Sequence, residues 1–329
     1  MRIAITGSSG FLGRRLVALL ADRPEVEAVV GMDVVAPADV SRPAKFQFIQ
    51  RDIREPFADV LRTHGITKAV HLAFIFGPTR HKRLAREINL GGTRNFLDAC
   101  HTAGVARAVV VGSAIAYGAL RDNPPMLDEA APLRAGSGFI YAHHKRLADE
   151  MCQRFDKDQP GTKLAVLRPP IVLGRHMDNY FSRMFFKPKV VYPRWGDPAM
   201  QFVHEEDVAD AILALLACDA PGPFNMAPEG TIRFSELAWE CKRAAFGMPY
   251  PILWAISAFT YAARIGRLNE TPPGALAYIR YPWLVTGDRL RRETGFTPAR
   301  TTIETVRDWR AGVRDQAMTG AQMPKKYRG

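Results

Sequence analysis

Ile3-Ala4-Ile5-Thr6-Gly7-Ser8-Ser9-Gly10-Phe11-Leu12-Gly13 is the stretch on which the fold turns. A short apolar run reads as a buried strand, the glycine-rich segment as a turn, and an apolar helical pattern follows over about 10–20. Glycines allow a tight turn and close backbone approach, so the N–H groups that open the helix face a pyrophosphate. The glycine pattern alone is weak, because any turn can collect three glycines. Its context strengthens it: a strand before, a helix after, and Asp33 closing a second strand over 28–32. A carboxylate there accepts hydrogen bonds from a ribose 2′-hydroxyl and repels a 2′-phosphate. Gly7, Ser9, Gly10, Phe11, Leu12, Gly13 and Asp33 are therefore expected to hold a dinucleotide, with NAD favoured over NADP. Arg14 and Arg15 keep NADP open, and Asp33 can also be read as a plain turn residue. Asp52, after a third strand over 46–49, reads as an adenine cap or as a solvated loop acid, with Ile53 beside it.

Outward from this turn, strands alternate with helices. Strands are expected at 69–72, 108–111 and 163–167, and helices at 57–62, 84–100 and 141–155. Short branched runs without a polar face, separated by helices, imply a parallel sheet covered on both sides. The expected fold class is α/β, a doubly wound parallel sheet whose ligand crevice lies at the carboxyl ends of the strands. After Arg168-Pro169-Pro170 the rhythm breaks, and helices are expected at 207–217, 234–246, 252–265 and 303–314, with a loose tail over 317–329. We expect a dinucleotide domain over 1–168, rejoined by 200–227, and a smaller, mostly helical substrate lobe over 169–199 and 228–329.

Composition removes other classes. The chain has 329 residues, 47% hydrophobic and 24% charged, values that exclude collagen-like, disordered and disulfide-scaffold readings. No apolar run is long enough to span a bilayer, and the N-terminus lacks a signal-peptide pattern. Four cysteines without C-x-x-C spacing fit reduced thiols, so a cytoplasmic protein without a metal site is expected. The net charge of +12 is scattered, with no basic block and no aromatic-basic motif, so no nucleic-acid partner is expected.

Tyr141-Ala142-His143-His144-Lys145 puts a tyrosine and a lysine one helical turn apart on one face. The pair follows Ser113 by one strand–helix unit, and Ser113 ends a buried strand where ligands bind. Hydride transfer from a carbinol needs a base for the hydroxyl proton. A tyrosine titrates near 10, so a working base near pH 7 needs about 4 kcal/mol of help. An ammonium ~4 Å away supplies about that much at an effective dielectric of about 20. Ser113 would orient the reacting oxygen.

With these residues the chain resembles the extended short-chain dehydrogenase/reductases, the NAD-dependent epimerase/dehydratase family, and within it galactose epimerase-like members of actinobacterial type. The likeness extends to His71-Leu72-Ala73-Phe74, Asn89-Leu90-Gly91-Gly92-Thr93, Leu167-Arg168-Pro169-Pro170-Ile171, Phe202-Val203-His204 and Phe224-Asn225-Met226. It implies a Rossmann fold and NAD as cofactor. It further implies that Leu72, Ala73 and Phe74 line the cofactor, that Asn89 holds a backbone or water relay, and that Pro169 and Ile171 cover the nicotinamide. Tyr141 would then be the acid/base beside the cofactor, and Lys145 would tune it and hold the nicotinamide ribose. A homodimer through the helices over 84–100 and 141–155 is implied as well.

Three departures shape the functional reading. Dehydratases of the family place acids just after the catalytic Ser/Thr, where this chain has Ala114 and Ile115; Ile115 is expected to meet substrate. Nucleotide-sugar epimerases usually carry an arginine before the F-V-H segment, where this chain has Met200. Arg175 and Arg280 are expected as substitutes, or equally as ordinary surface arginines. The apolar stretch over 251–261 reads first as a core helix or a lid over a greasy substrate, and only second as an interfacial helix, so membrane contact is not expected. The leading function is an NAD-dependent oxidoreductase acting on a secondary alcohol or ketone through Ser113, Tyr141 and Lys145. A nucleoside-diphosphate-sugar 4-epimerase with bound NAD is the alternative, and a noncatalytic NAD-binding regulator comes third.

Overall fold

A computed structural model describes residues 1–37, 43–159, 161–175, 189–265 and 271–318. The tail expected over 317–329 lies outside the described residues from 319 onward. Seven strands form the main sheet: β1 (Arg2–Thr6), β2 (Ala28–Asp33), β3 (Phe46–Gln50), β4 (Lys68–His71), β5 (Arg107–Val111), β6 (Lys163–Arg168) and β7 (Gly222–Asn225). Their order is β7-β6-β5-β4-β1-β2-β3, and every neighbouring pair is parallel.

Alternation along the strands builds a separate core on each face of the sheet. Ile3, Ile5, Val29 and Val109 pack with Leu16 and Leu20 of α1 (Phe11–Ala21) and Ile212 and Leu215 of α6 (Glu205–Ala217). Ala4, Val30, Ala108 and Val110 face the other way, against Leu61 of α2 (Ala58–Thr63), Phe96 of α4 (Gly92–Ala103) and Cys152 of α5 (Ile140–Asp158). The chain leaves β1 toward β2 and β3, then returns on the opposite side as β4. Strand order therefore reverses between β1 and β4, which opens the crevice at their carboxyl ends.

Two expected helices come out differently. The segment over 84–100 is α3 (Lys82–Arg86), a π turn at Glu87–Gly91, then α4. The segment over 234–246 stays helical only through α7 (Phe234–Glu240). Lys242 adopts a left-handed φ of 55°, and Arg243 N–H bonds back to Ala238 O, a closure that ends the helix. Ala244–Met248 then extends as a strand beside Lys189–Pro193. The later part of the chain thus combines helices with short strand pairs, including Ile171–Leu173 with Phe202–His204 and Ala199–Met200 with Ile232–Arg233. These pairings depend on partners distant in sequence, which helical periodicity does not register.

A charged pair is buried among these layers. Arg168, ending β6, makes two 2.7 Å bonds to Asp149 of α5, and both side chains are almost wholly buried. Arg168 Nη1 also donates to the Tyr117 hydroxyl at 2.6 Å, which lies 2.8 Å from Asn225 Oδ1 on β7. Removing one partner leaves the other charge buried and alone. Arg168→Met should therefore cost about 3–5 kcal/mol, read as a lower midpoint in urea unfolding.

Candidate functional site

The glycine turn is set by close backbone approach. Gly7 has φ 73°, and a Cβ there would lie 2.7 Å from Ala73 N. A Cβ on Gly13 would lie 2.2 Å from Gly7 O. The first intrahelical bond of α1 is Arg14 N–H to Gly10 O at 3.0 Å, so the N–H groups of Phe11, Leu12 and Gly13 precede it. Gly10 caps the helix without a side chain, and the first turn carries no acid. An open, positive helix end of this kind suits a phosphate group.

Asp33 is held beside that turn. Its carboxylate accepts Ser9 N–H at 3.1 Å and Val35 N–H at 3.3 Å, while Ser9 Oγ donates to Val35 O at 2.6 Å. A carboxylate with two donors still has lone pairs for a ribose diol. Arg15 is turned to Glu206 at 2.9 Å, and Arg14 is exposed. These residues fit NAD: Gly7 to Gly13 would hold the pyrophosphate and Asp33 the adenine ribose. Asp52 accepts from the backbone and guanidinium of Arg54, whose hydrogen bond holds its carboxyl below the usual range. Ile53 is buried against Gly92 at the start of α4.

Leu72, Ala73 and Phe74 follow β4 along the crevice, with Leu72 N–H bonded to Thr6 O at 3.1 Å. Behind them, Asn89 in the π turn accepts Ile75 N–H at 2.7 Å, and its amide lies 3.3 Å from His144 Nδ1. Burial, with His143 and Arg86 nearby, pulls His144 down to about 4. His71 lies between Thr6 Oγ1 at 2.7 Å and Thr93 Oγ1 at 3.2 Å. Thr93 donates its proton to Asn89 O, so His71 Nε2 must be the donor to Thr93 and Nδ1 the acceptor from Thr6. Burial and Lys145 hold His71 down to about 3, which fixes that neutral form.

Ser113 follows β5, and its Oγ accepts Ile115 N–H at 3.3 Å and donates to Pro169 O at 3.4 Å. Ile171 lies just beyond Pro169, in the strand paired with Phe202. Lys145 Nζ donates to Val111 O at 2.8 Å and sits 3.9 Å from the centre of the Phe74 ring. Burial pushes Lys145 down to about 7, with Asp149 pulling the other way. A small cavity of about 10 Å³, lined by His71, Phe74, Lys145 and Asp149, lies beneath and has room for about one water.

Tyr141 is set among aromatic rings. Phe74, Phe76 and Phe139 lie 6.0, 5.0 and 5.8 Å from it, centre to centre. Tyr278 packs on Phe139 and donates to Ile115 O at 3.0 Å, and Trp283 packs on Tyr278. Ile115 is buried in this cluster. Met200 is buried in an adjoining apolar cluster with Ile232 and Phe234. Arg175 bonds Asp308 at 2.8 Å, and Arg280 stacks on Tyr250 at 3.8 Å while bordering the aromatic cluster through Tyr281. Sequence reading missed the wall of Phe76, Phe139, Tyr278 and Trp283. Phe74-Ile75-Phe76 was a signal that could have been used, whereas Tyr278 and Trp283 are brought in only by tertiary packing.

Two outcomes follow. Gly13→Ala drives a methyl into the Gly7 carbonyl and should abolish measurable NAD binding in a fluorescence titration. Lys145 below about pH 7 is charged in both folded and unfolded chains, so the cost of burying it is complete there. Between about 7 and 10.5 only the unfolded chain keeps the proton, and the cost shrinks. Stability relative to Lys145→Met should therefore rise from pH 7 toward about pH 10 in urea titrations.

The chain is similar to several known proteins. An uncharacterised protein of Mycobacterium tuberculosis is 27% identical over 316 residues, covering 94% of this chain and 83% of that one. The 3 beta-hydroxysteroid dehydrogenase/Delta 5-->4-isomerase of vaccinia virus is 29% identical over 195 residues, 56% of this chain and 55% of the viral protein. Among solved structures, UDP-glucose 4-epimerase of Thermotoga maritima with UDP-glucose superposes with a TM-score of 0.75 at 18% identity, covering 96% of this chain and 100% of that one. The sequence pattern of the NAD dependent epimerase/dehydratase family matches residues 3–227, and the chain belongs to that family.

Proposed function

We propose that the protein is an NAD-dependent oxidoreductase that interconverts a secondary alcohol and a ketone on a largely apolar substrate. One observation carries the choice within the family: the reacting tyrosine lies in a wall of aromatic rings, Phe74, Phe76 and Phe139. Met200, buried where a nucleotide-sugar epimerase would usually carry an arginine, offers no charge-assisted grip on a diphosphate. The viral relative, described as a steroid dehydrogenase, supports the same substrate class.

NAD, when bound, supplies the hydride acceptor or donor. Tyr141 takes the hydroxyl proton in oxidation and returns it in reduction. Lys145 stabilises the phenolate, and its setting sharpens the chemistry: burial disfavours the ammonium, so tyrosinate and ammonium form most readily together. The bond to Val111 O and the Phe74 ring hold Nζ in place. Ser113, anchored by Ile115 N–H, orients the substrate oxygen, and the aromatic wall excludes water from it. The main domain spans 1–168 with 200–227, the remainder covers substrate, and two copies pair through α3–α4 and α5.

Purified protein given NAD and a panel of apolar secondary alcohols should accumulate reduced cofactor, followed by its near-ultraviolet absorbance. Interconversion of UDP-sugars without released NADH would overturn this reading in favour of the 4-epimerase. Tyr141→Phe should lower turnover at least about 100-fold while NAD affinity stays within about twofold.

A further inference from the structure

α8 (Tyr250–Ala262) is oriented the opposite way from a helix that meets only water. Its buried side carries Leu253, Ser257 and Thr260. Both hydroxyls are used on the backbone, Thr260 Oγ1 donating to Ile256 O at 2.8 Å and Ser257 Oγ to Thr271 O at 3.4 Å. A neighbouring stripe about 100° round the helix, Ile252, Ile256 and Phe259, follows helical spacing and is exposed, Phe259 at 67%. Solvent-facing helices place their apolar stripe inward, and a contiguous apolar face left outside marks an interaction surface.

The strand that leads into the helix and the segment paired with it carry further exposed aromatic residues, each beside a cation. Phe246, in the strand leading to α8, is exposed with Lys189 Nζ 5.6 Å from its ring centre. Trp195 is 86% exposed with the Arg194 guanidinium 5.0 Å from its ring. At the far end Arg80 stacks on Tyr261 at 4.6 Å and donates to its carbonyl at 2.7 Å. Residues 241–265 contain Lys242, Arg243 and Arg264 and no aspartate or glutamate.

We infer that this face docks on the surface of an anionic lipid bilayer. An apolar stripe beside cations, on a stretch over 241–265 that has no carboxylate, suits the headgroup boundary of such a membrane. α8 has 13 residues, and no helix among those described is long and apolar enough to cross a membrane, so the contact is interfacial. Charge selects this occupant over a second copy. A symmetric dimer through the face would bring one border of Lys189, Arg194, Arg264 and Arg80 against a second border of the same charge, whereas anionic headgroups neutralise it. The inference goes beyond the proposed reaction and does not rest on it, because docking needs no turnover.

The test is sedimentation of the full chain with vesicles of about three parts phosphatidylcholine to one part phosphatidylglycerol, at about 0.1 M salt. Partitioning should be at least about tenfold stronger than onto phosphatidylcholine alone, and should weaken as salt rises. Ile256→Asp with Phe259→Asp, and separately Lys189→Glu with Arg194→Glu, should each lower it at least about tenfold while NAD binding is kept. All four positions are exposed or border the face, so NAD affinity serves as the check on folding. Absence of binding to the anionic vesicles, equal binding to neutral ones, or unchanged binding by the variants overturns the proposal. A concentration-dependent dimer in analytical ultracentrifugation that Phe259→Asp dissolves, without vesicle binding, overturns it too and gives the face to a second copy.

Discussion

Three backbone segments meet at one point with no room for a side chain. Gly7 turns beneath Ala73, and Gly13 packs on the Gly7 carbonyl. This contact joins the end of β1, the start of α1 and the exit of β4, the place where the strand order reverses. Because no Cβ intervenes, the helix N-terminus comes close to the crevice, and Asp33 reaches Ser9 N–H at 3.1 Å. The rest of the site is measured from this corner. Phe74 follows Ala73 directly, and its ring is the surface on which Lys145 Nζ rests.

The polar groups of the site are embedded in apolar surroundings, and each is held by a specific partner. His71 is fixed between two threonines, Asn89 between Ile75 and His144, and Lys145 between a carbonyl and an aromatic face. Asp149 serves two neighbours, its carboxylate bonded to Arg168 while its charge partly offsets the cost of burying Lys145. The same α5 helix thereby carries Tyr141, Lys145 and the anchor that ties it to β6. The proposed catalytic pair lies in the first two turns of this helix and the buried anchor at its middle.

Much of this was legible in the chain because it is written locally. The glycine turn, the branched strands and the Tyr141/Lys145 spacing each need only a few neighbouring residues, and the doubly wound sheet follows from their alternation. The strand at Ala244–Met248 was not legible, since its apolar residues continue a helical pattern and only the left-handed Lys242 and a partner at Lys189–Pro193 redirect it. The aromatic wall was hidden for a related reason: Tyr278 and Trp283 reach Phe139 and Ile115 from more than a hundred residues away. The commitment of Asp52 to Arg54 and of Arg175 to Asp308 likewise needed coordinates, because spacing does not tell which acid a given arginine meets.

The π turn at Glu87–Gly91 carries a last consequence. Such a turn is a regular helix with one residue too many, wound wide to absorb the surplus. Asn89 owes its aim at Ile75 and His144 to that surplus. Deleting a single residue would let α3 and α4 merge into a uniform rod and swing everything upstream by roughly 100° about its axis. Chain length at this position is thus itself a determinant of the crevice, as binding as the identity of any side chain that lines it.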